Sequence, residues 1–158
     1  MRKLAVILIL SLSGCSEKET VFTFYKWNMR ESYYLKFNSS DTLYCFNSFE
    51  EKNSYTILKD DEKRNIQNIL DSISFPKNKI NFDRDVNDGE TFAFILKQNN
   101  NSLKKVRIHA FAGPNQFWAF GRLLDSIKIK HKFIETNKKI EISEMDSMVI
   151  TKVTFIKK

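Results

Sequence analysis

Four short segments rich in aromatic and β-branched residues follow one another before residue 60 of this 158-residue chain. They cover residues 21–27, 32–37, 42–49 and 54–58, and their composition is typical of β-strands. Only short polar stretches separate them, such as the turn-forming residues 38–41. Strands joined by so few residues pair as antiparallel hairpins, because a parallel connection needs a dozen or more residues. The first half of the domain is therefore predicted to be an antiparallel sheet.

The first of two amphipathic helices is expected to follow these strands. Its apolar residues recur at helical spacing, and acidic residues at its start suit the positive end of a helix dipole. Asp60 is the expected N-cap, and Pro76 is expected to end the helix. The apolar stripe consists of Ile66, Ile69, Leu70 and Ile73.

A second helix is expected to begin at Pro114. Its apolar stripe consists of Phe117, Phe120, Leu124 and Ile127. Gly121 lies within the helix and is expected to allow close packing on the sheet, at a propensity cost of about 1 kcal/mol. After Ile127 the sequence alternates between apolar and polar residues. This alternation predicts a strand that carries Lys128, Lys130 and Lys132 on one face.

The remaining strand signals complete the expected fold. Residues 91–97 and 103–111 form a predicted hairpin, and residues 140–142 and 148–156 are predicted terminal strands. The order is four strands, a helix, two strands, a helix and two strands. Because hairpins join most of the strands, the predicted fold class is α+β, an antiparallel sheet with two helices packed on one face.

The first fifteen residues follow a different pattern. Arg2 and Lys3 give a cationic start, residues 4–12 form an apolar run, and Ser13 and Gly14 precede Cys15. A secretory signal has this order of charge, apolar run and small residues. The run is too short to span a bilayer, which takes about 20 apolar residues. Residues 1–14 are therefore predicted to be a signal peptide; the alternative is a buried N-terminal strand or helix.

The sequence Leu-Ser-Gly-Cys at residues 12–15 resembles the lipobox of bacterial lipoproteins. The resemblance covers residues 1–15 alone. It implies that the signal is cut before Cys15, that Cys15 is lipidated, and that the exported protein is held in a membrane. Ser16 after the cysteine is similar to the pattern for the outer membrane of Gram-negative bacteria. Residues 15–20 are then the lipidated cysteine and a short tether, and residues 21–158 are a single α+β domain.

Charge limits the partners of such a domain. The chain has 26 Lys and Arg against 19 Asp and Glu, and loss of Arg2 and Lys3 with the signal leaves 24 against 19, a formal charge of +5. The lysines are scattered, so no nucleic-acid partner is expected. A basic surface can also bind anionic lipid or glycan. The candidate residues for an anionic-surface patch are Lys104, Lys105, Arg107, Lys128, Lys130 and Lys132.

Residues with metal-ligand spacing occur in one segment. Asp83, Asp85 and Asn87 alternate as the first ligands of a calcium-binding EF-hand loop do. That loop needs glycine at its sixth position, where this chain has Asp88. The three residues are therefore weak metal candidates, a polar turn is the favoured interpretation, and no cofactor is expected.

Residues with catalytic chemistry are few. His109 shares a predicted strand face with Lys105 and Arg107, so it is expected to be solvated. Cys45 is left alone once Cys15 is modified, so no intramolecular disulfide is expected. A reactive thiol is one interpretation of Cys45, and a small buried hydrophobe is the favoured one. Since no nucleophile is paired with a base, the sequence indicates a protein that is not an enzyme.

The aromatic residues leave two interpretations open. Eleven of the 21 lie between Phe22 and Tyr55. They form either the core of the sheet, which is favoured, or a platform for a sugar or peptide. The favoured function is a non-catalytic binding or accessory module of the cell envelope, with an envelope protein or an anionic glycan or lipid as partner. The alternatives are a self-protection or inhibitor lipoprotein that binds a toxin or enzyme and, less favoured, a small envelope hydrolase.

Overall fold

The computed structural model describes residues 20–84, 86, 88–98, 103–146 and 148. The elements in chain order are β1 Thr20–Trp27, β2 Ser32–Phe37, β3 Thr42–Asn47, β4 Lys52–Ile57, α1 Asp60–Ser72, β5 Ile80–Phe82, β6 Thr91–Gln98, β7 Lys104–His109, α2 Asn115–Lys130, β8 Ile134–Glu135 and a short 3-10 helix, Ser143–Met145.

The strands form one open sheet in the order β5-β7-β6-β1-β2-β3-β4-β8. Every neighbouring pair is antiparallel except β5 and β7, which are parallel. The central strand β1 pairs with β2 on one side and with β6 on the other. The predicted α+β class is confirmed. The first strand begins one residue before its predicted start, at Thr20.

Side-chain alternation divides the core between the two faces of this sheet. The helix face carries the larger cluster, in which Phe22 and Phe24 of β1 join Ile66 of α1 and Phe120 and other residues of α2. The second face carries a smaller cluster. Its buried members are Tyr25, Tyr34, Ala93, Ile95, Met145 and Met148.

Helix α1 begins at Asp60 itself, so the prediction that Asp60 is the N-cap is wrong by one residue. Lys59 takes that position because its backbone N–H donates to Oε2 of Glu62, three residues on, at 3.0 Å. The helix ends at Ser72, before Pro76. Ile66 is buried as its place in the apolar stripe predicts.

Helix α2 extends further than its sequence suggests. The predicted strand through Lys128 is wrong, because the helix continues to Lys130 and buries Ile127 one turn after Leu124. A Cβ on Gly121 would lie 2.2 Å from Cδ2 of Phe92, so the glycine permits the close helix–sheet approach that was expected. Among the described residues, no helix is long and apolar enough to span a membrane.

Residues 136–146, here called the strap, cross the second face of the sheet. Lys138 Nζ donates to the hydroxyl of Tyr44 on β3 at 2.7 Å. Lysines of β2 and β7 donate to strap carbonyls further on, and Met145 is buried beside them. The strap contains no strand, so the predicted strand at 140–142 is wrong. The predicted strand at 148–156 lies outside the described residues apart from Met148.

Candidate functional site

Strand β1 carries a buried lysine on the helix face. Lys26 follows Phe22 and Phe24 at alternate positions and therefore points into the same core. Its side chain is 4% exposed. Its Nζ donates to Oδ2 of Asp125 on α2 at 2.8 Å and lies 2.5 Å from Oε1 of Glu31. Two carboxylates thus compensate a charge that would be costly to bury alone.

Tyr33 holds the second oxygen of Asp125, to which its hydroxyl donates at 2.6 Å. Burial raises the pKa of Tyr33, and the hydrogen bond to Asp125 raises it further. Burial alone would lower the pKa of Lys26. Hydrogen bonds to Asp125 and Glu31 outweigh that effect, and the net pKa of Lys26 is raised. Lys26 is therefore an ammonium at neutral pH and has no lone pair with which to act as a nucleophile or base.

Two further ion pairs connect this buried centre to the surface. Nη2 of Arg122 lies 2.5 Å from Oε2 of Glu90, although that oxygen has no well-directed hydrogen bond. Nζ of Lys128 lies 3.6 Å from Oε2 of Glu31. We call this group the ion network; it comprises Lys26, Glu31, Tyr33, Glu90, Arg122, Asp125 and Lys128. Its three cations balance its three carboxylates. The network therefore holds elements of the fold together and carries no excess charge with which to bind a further ion.

The ion network holds loops at one end of the sheet. Glu31 closes the β1–β2 turn, Glu90 lies just before β6, and cations of β1 and α2 bind both. Because Trp27 pairs with Thr91, and Thr91 with His109, this end is where β1 and β7 finish. We call the connections there the tip loops. They comprise residues 28–31, 48–51, the described part of 86–90, and 110–114.

The tip loops expose large apolar side chains. The exposed fraction is 75% for Met29, 69% for Phe111, 57% for Phe49 and 44% for Val86. Phe111 has a left-handed backbone (φ 60°), which is uncommon for a residue other than glycine. Its ring stacks on Trp118 with centroids 5.2 Å apart. The fold therefore fixes Phe111 on the surface instead of burying it.

His109 is buried, and the prediction of a solvated histidine is wrong. One ring nitrogen, Nε2, lies 3.1 Å from the carbonyl of Val86, so it must carry the proton and donate. Nδ1 lies 2.8 Å from the hydroxyl of Thr91, within hydrogen-bonding distance. The segment before β6, which includes Gly89, covers the ring; a Cβ on Gly89 would lie 2.9 Å from Cε1 of His109. The ring thus joins β7 to β6 through Nδ1 and to a tip loop through Nε2.

The weak metal candidates do not form a described site. Asp83 forms an ion pair with Arg107, and Asp85 and Asn87 lie outside the described residues. Among the residues that the structure describes, no group of three His, Cys, Asp or Glu side chains could hold a metal ion.

The six candidate cations of the anionic-surface patch lie on different elements of the fold. Lys105 and Arg107 lie on the second face of β7, whereas Lys104 lies on the helix face, opposite Leu96. Lys128 and Lys130 belong to α2, and Lys132 follows it. Lys128 is committed to the ion network. The structure therefore does not bring the two predicted groups together on one side of the sheet.

The structure describes one of the two cysteines. Cys15 lies outside the described residues. Cys45 is buried on the helix face of β3, and burial raises its pKa to about 11. A thiol with so high a pKa is a poor nucleophile at neutral pH. The geometry therefore favours the interpretation of Cys45 as a small buried hydrophobe.

Two open pockets lie away from the ion network. A polar one of about 410 Å³ lies beside the β4–β8 edge. Its lining residues are Glu51, Lys52, Asn53, Glu135, Thr136 and Asn137. An apolar groove of about 250 Å³ runs between α1 and α2, lined by residues such as Ile69 and Phe120. Neither pocket contains a histidine or a cysteine.

The fold and this site define an α+β protein built on an open, mostly antiparallel sheet, with a buried ion network beneath exposed apolar loops. No protein-family model, curated protein or solved structure matches the chain. The functional argument therefore depends on the residues themselves.

Proposed function

We propose that this chain is an exported lipoprotein, anchored through Cys15, whose domain is a non-catalytic binding or accessory module of the cell envelope. The lipobox-like residues 12–15 support the anchor. Strand β1 begins at Thr20, and five residues of extended chain span about 17 Å at most. The domain is therefore close to its membrane, which we propose is the outer membrane of a Gram-negative envelope.

The exposed apolar side chains of the tip loops are the observation that supports a binding role. Thr20 and the tip loops lie at opposite ends of β1, and eight residues of strand separate them by about 23 Å. The exposed apolar side chains of the loops therefore face away from the anchored end. Exposed apolar patches on soluble domains often mark sites of protein interaction. The ion network fixes two of the loops in advance, which lowers the entropy cost of binding.

A self-protection or inhibitor lipoprotein is the second candidate, and the same observation favours it. Inhibitors of enzymes commonly present a preformed surface that moves little on binding. The formal charge of +5 on the mature chain favours an acidic partner over a basic one.

Lipidation is tested by labelling cells with palmitate. The wild-type protein is expected to take up the label, and the Cys15→Ser variant is expected to take up none, because the thiol that receives the lipid is absent. The Cys45→Ser variant is the matched control and should label like the wild type. Equal labelling of the wild type and Cys15→Ser would contradict the proposed anchor.

The binding surface is tested by photo-cross-linking in the native envelope. A photoreactive phenylalanine analogue at position 111 is expected to give one discrete adduct of higher mass, because Phe111 projects from the tip. The same analogue at Ile129, which is 70% exposed on α2, is the control and should give little adduct. Equal yields at the two positions would argue against a partner at the tip loops.

A further inference from the structure

We propose that Met145 and Met148 form an oxidation site, at which a peroxide converts both thioethers to sulfoxides and thereby releases the strap from the second face of the sheet. Met145 belongs to the strap, and Met148 follows its end. Such a modification concerns the domain alone. It requires neither the anchor at Cys15 nor a partner at the tip loops.

The second face of the sheet carries a row of aromatic rings that crosses three neighbouring strands. The ring centroids of Tyr25 and Tyr34 lie 4.6 Å apart, and those of Tyr34 and Phe46 lie 5.9 Å apart. The first separation is close to the spacing of neighbouring strands, so the two tyrosine rings stand side by side on the sheet with their faces together. Stacked in this way, the rings present their edges to whatever covers the sheet.

Methionine side chains pack into the cluster that contains these rings. Met145 is 0% and Met148 is 1% exposed, and both belong to the cluster of Tyr25 and Tyr34. The N–H of Met145 donates to the carbonyl of Ile142 at 2.8 Å, and the N–H of Met148 donates to the carbonyl of Met145 at 2.7 Å. Side chains three residues apart in such turns share one face, so these three point towards the sheet together. Thioether sulfur packs favourably against the edges of aromatic rings.

Burial of these apolar side chains is the main contribution to holding the strap closed. Lysine hydrogen bonds also hold it, but those of Lys36 and Lys138 are exposed to water. An exposed hydrogen bond contributes little net stability, because bonds to water replace it when it breaks. None of the described residues of the strap belongs to a strand. Release of the strap therefore leaves the strand pairs of the sheet intact.

Oxidation acts on the open strap and prevents it from closing. One hydrogen peroxide molecule reacts with each thioether: an S–O bond forms as the O–O bond breaks, and the second oxygen leaves with both hydrogens as water. Sulfur is oxidised by two electrons, and the peroxide is reduced. The sulfoxide is polar, so returning it to the apolar cluster would cost its hydrogen bonds to water. The open state accumulates as a result, and a methionine sulfoxide reductase reverses the change.

An open strap uncovers side chains next to the tip loops. Trp27 ends β1, and Phe46 lies one residue before the end of β3. Both are partly buried and pack against the cluster of the second face. Since two of the tip loops follow these strands directly, oxidation of the methionines extends the exposed apolar surface from the tip onto the second face.

The test exposes the purified protein to hydrogen peroxide and locates the added oxygen by peptide mass spectrometry. Met29 is 75% exposed and serves as the internal reference. Met145 and Met148 are expected to be oxidised at least about tenfold more slowly than Met29, because they react only when the strap is open. Hydrogen exchange of residues 136–146 should stay slow while Met29 alone is oxidised. It should become fast once Met145 and Met148 carry oxygen, and slow again after treatment with the reductase.

Leucine variants separate oxidation of the strap from oxidation elsewhere. Met145→Leu combined with Met148→Leu keeps the apolar volume but has no thioether, so the strap should stay protected in peroxide. Met29→Leu is the matched control and should release its strap as the wild type does. Thermal unfolding before treatment establishes that each variant is folded.

Three results would overturn the oxidation site. They are unchanged hydrogen exchange in wild-type protein oxidised at Met145 and Met148, release of the strap by peroxide in the double leucine variant, and oxidation of these two methionines as fast as that of Met29. The first and third are measured on the wild type alone, so they hold even if a variant does not fold.

Discussion

Replacing Lys26 by Met is expected to lower the free energy of unfolding by about 3–5 kcal/mol, because breaking a buried ion pair leaves a carboxylate without its partner. Asp125 would remain buried against Tyr33 with no cation on its Oδ2. Methionine has a similar length to lysine and keeps the packing of the stem. Urea unfolding followed by tryptophan fluorescence measures the loss.

Two further variants make the Lys26 prediction specific. Lys52→Met breaks an exposed pair, with Glu135, in which both side chains are more than half exposed, and it should cost at most about 1 kcal/mol. Lys26→Met combined with Asp125→Asn should recover much of the stability, because asparagine is neutral and still accepts from the Tyr33 hydroxyl. Equal losses for Lys26→Met and Lys52→Met would show that the ion network does not stabilise the domain.

The ion network shows which features of the site can be predicted from local sequence patterns and which cannot. The alternation of residues 21–27 already places Lys26 on the face of Phe22 and Phe24, so a buried lysine could have been noticed from sequence. Its partner Asp125 is 99 residues away, and no local pattern connects the two. The spacing of strands and helices is enough for the fold class, but pairing between distant elements decides which polar side chains meet.

Two wrong predictions from the sequence, the strand after Ile127 and the solvated His109, have the same physical cause. The alternating sequence after Ile127 fits a strand locally, yet burial of Ile127 against the sheet one turn after Leu124 extends the helix. His109 shares its strand face with Lys105 and Arg107, a pattern that predicts a solvated ring, yet the segment before β6 folds over it. In both cases tertiary contacts override a local preference that spans only a few residues.

The two ends of β1 differ in a way that the separate motifs do not reveal. Its second residue pairs with Lys97, and its last residues lie beside exposed apolar loops. The proposed function assigns the anchor to the first end and the partner surface to the second. The ion network fastens α2 to β1 and to the segment before β6, beside the tip loops.

Replacing Phe24 by Ala is expected to cost about 3–5 kcal/mol, because the ring is fully buried and its loss leaves a cavity in the core. Its centroid lies 5.3 Å from that of Phe92 and 5.5 Å from that of Phe94, so aromatic rings of the neighbouring strands β1 and β6 pack together here. Phe49→Ala is the matched control within the same aromatic-rich segment. Phe49 is exposed, and its loss should change stability by less than about 0.5 kcal/mol. Urea unfolding of both variants distinguishes the two interpretations of residues 22–55. A small loss for Phe24→Ala would mean that the central aromatics are a binding platform rather than the core of the sheet.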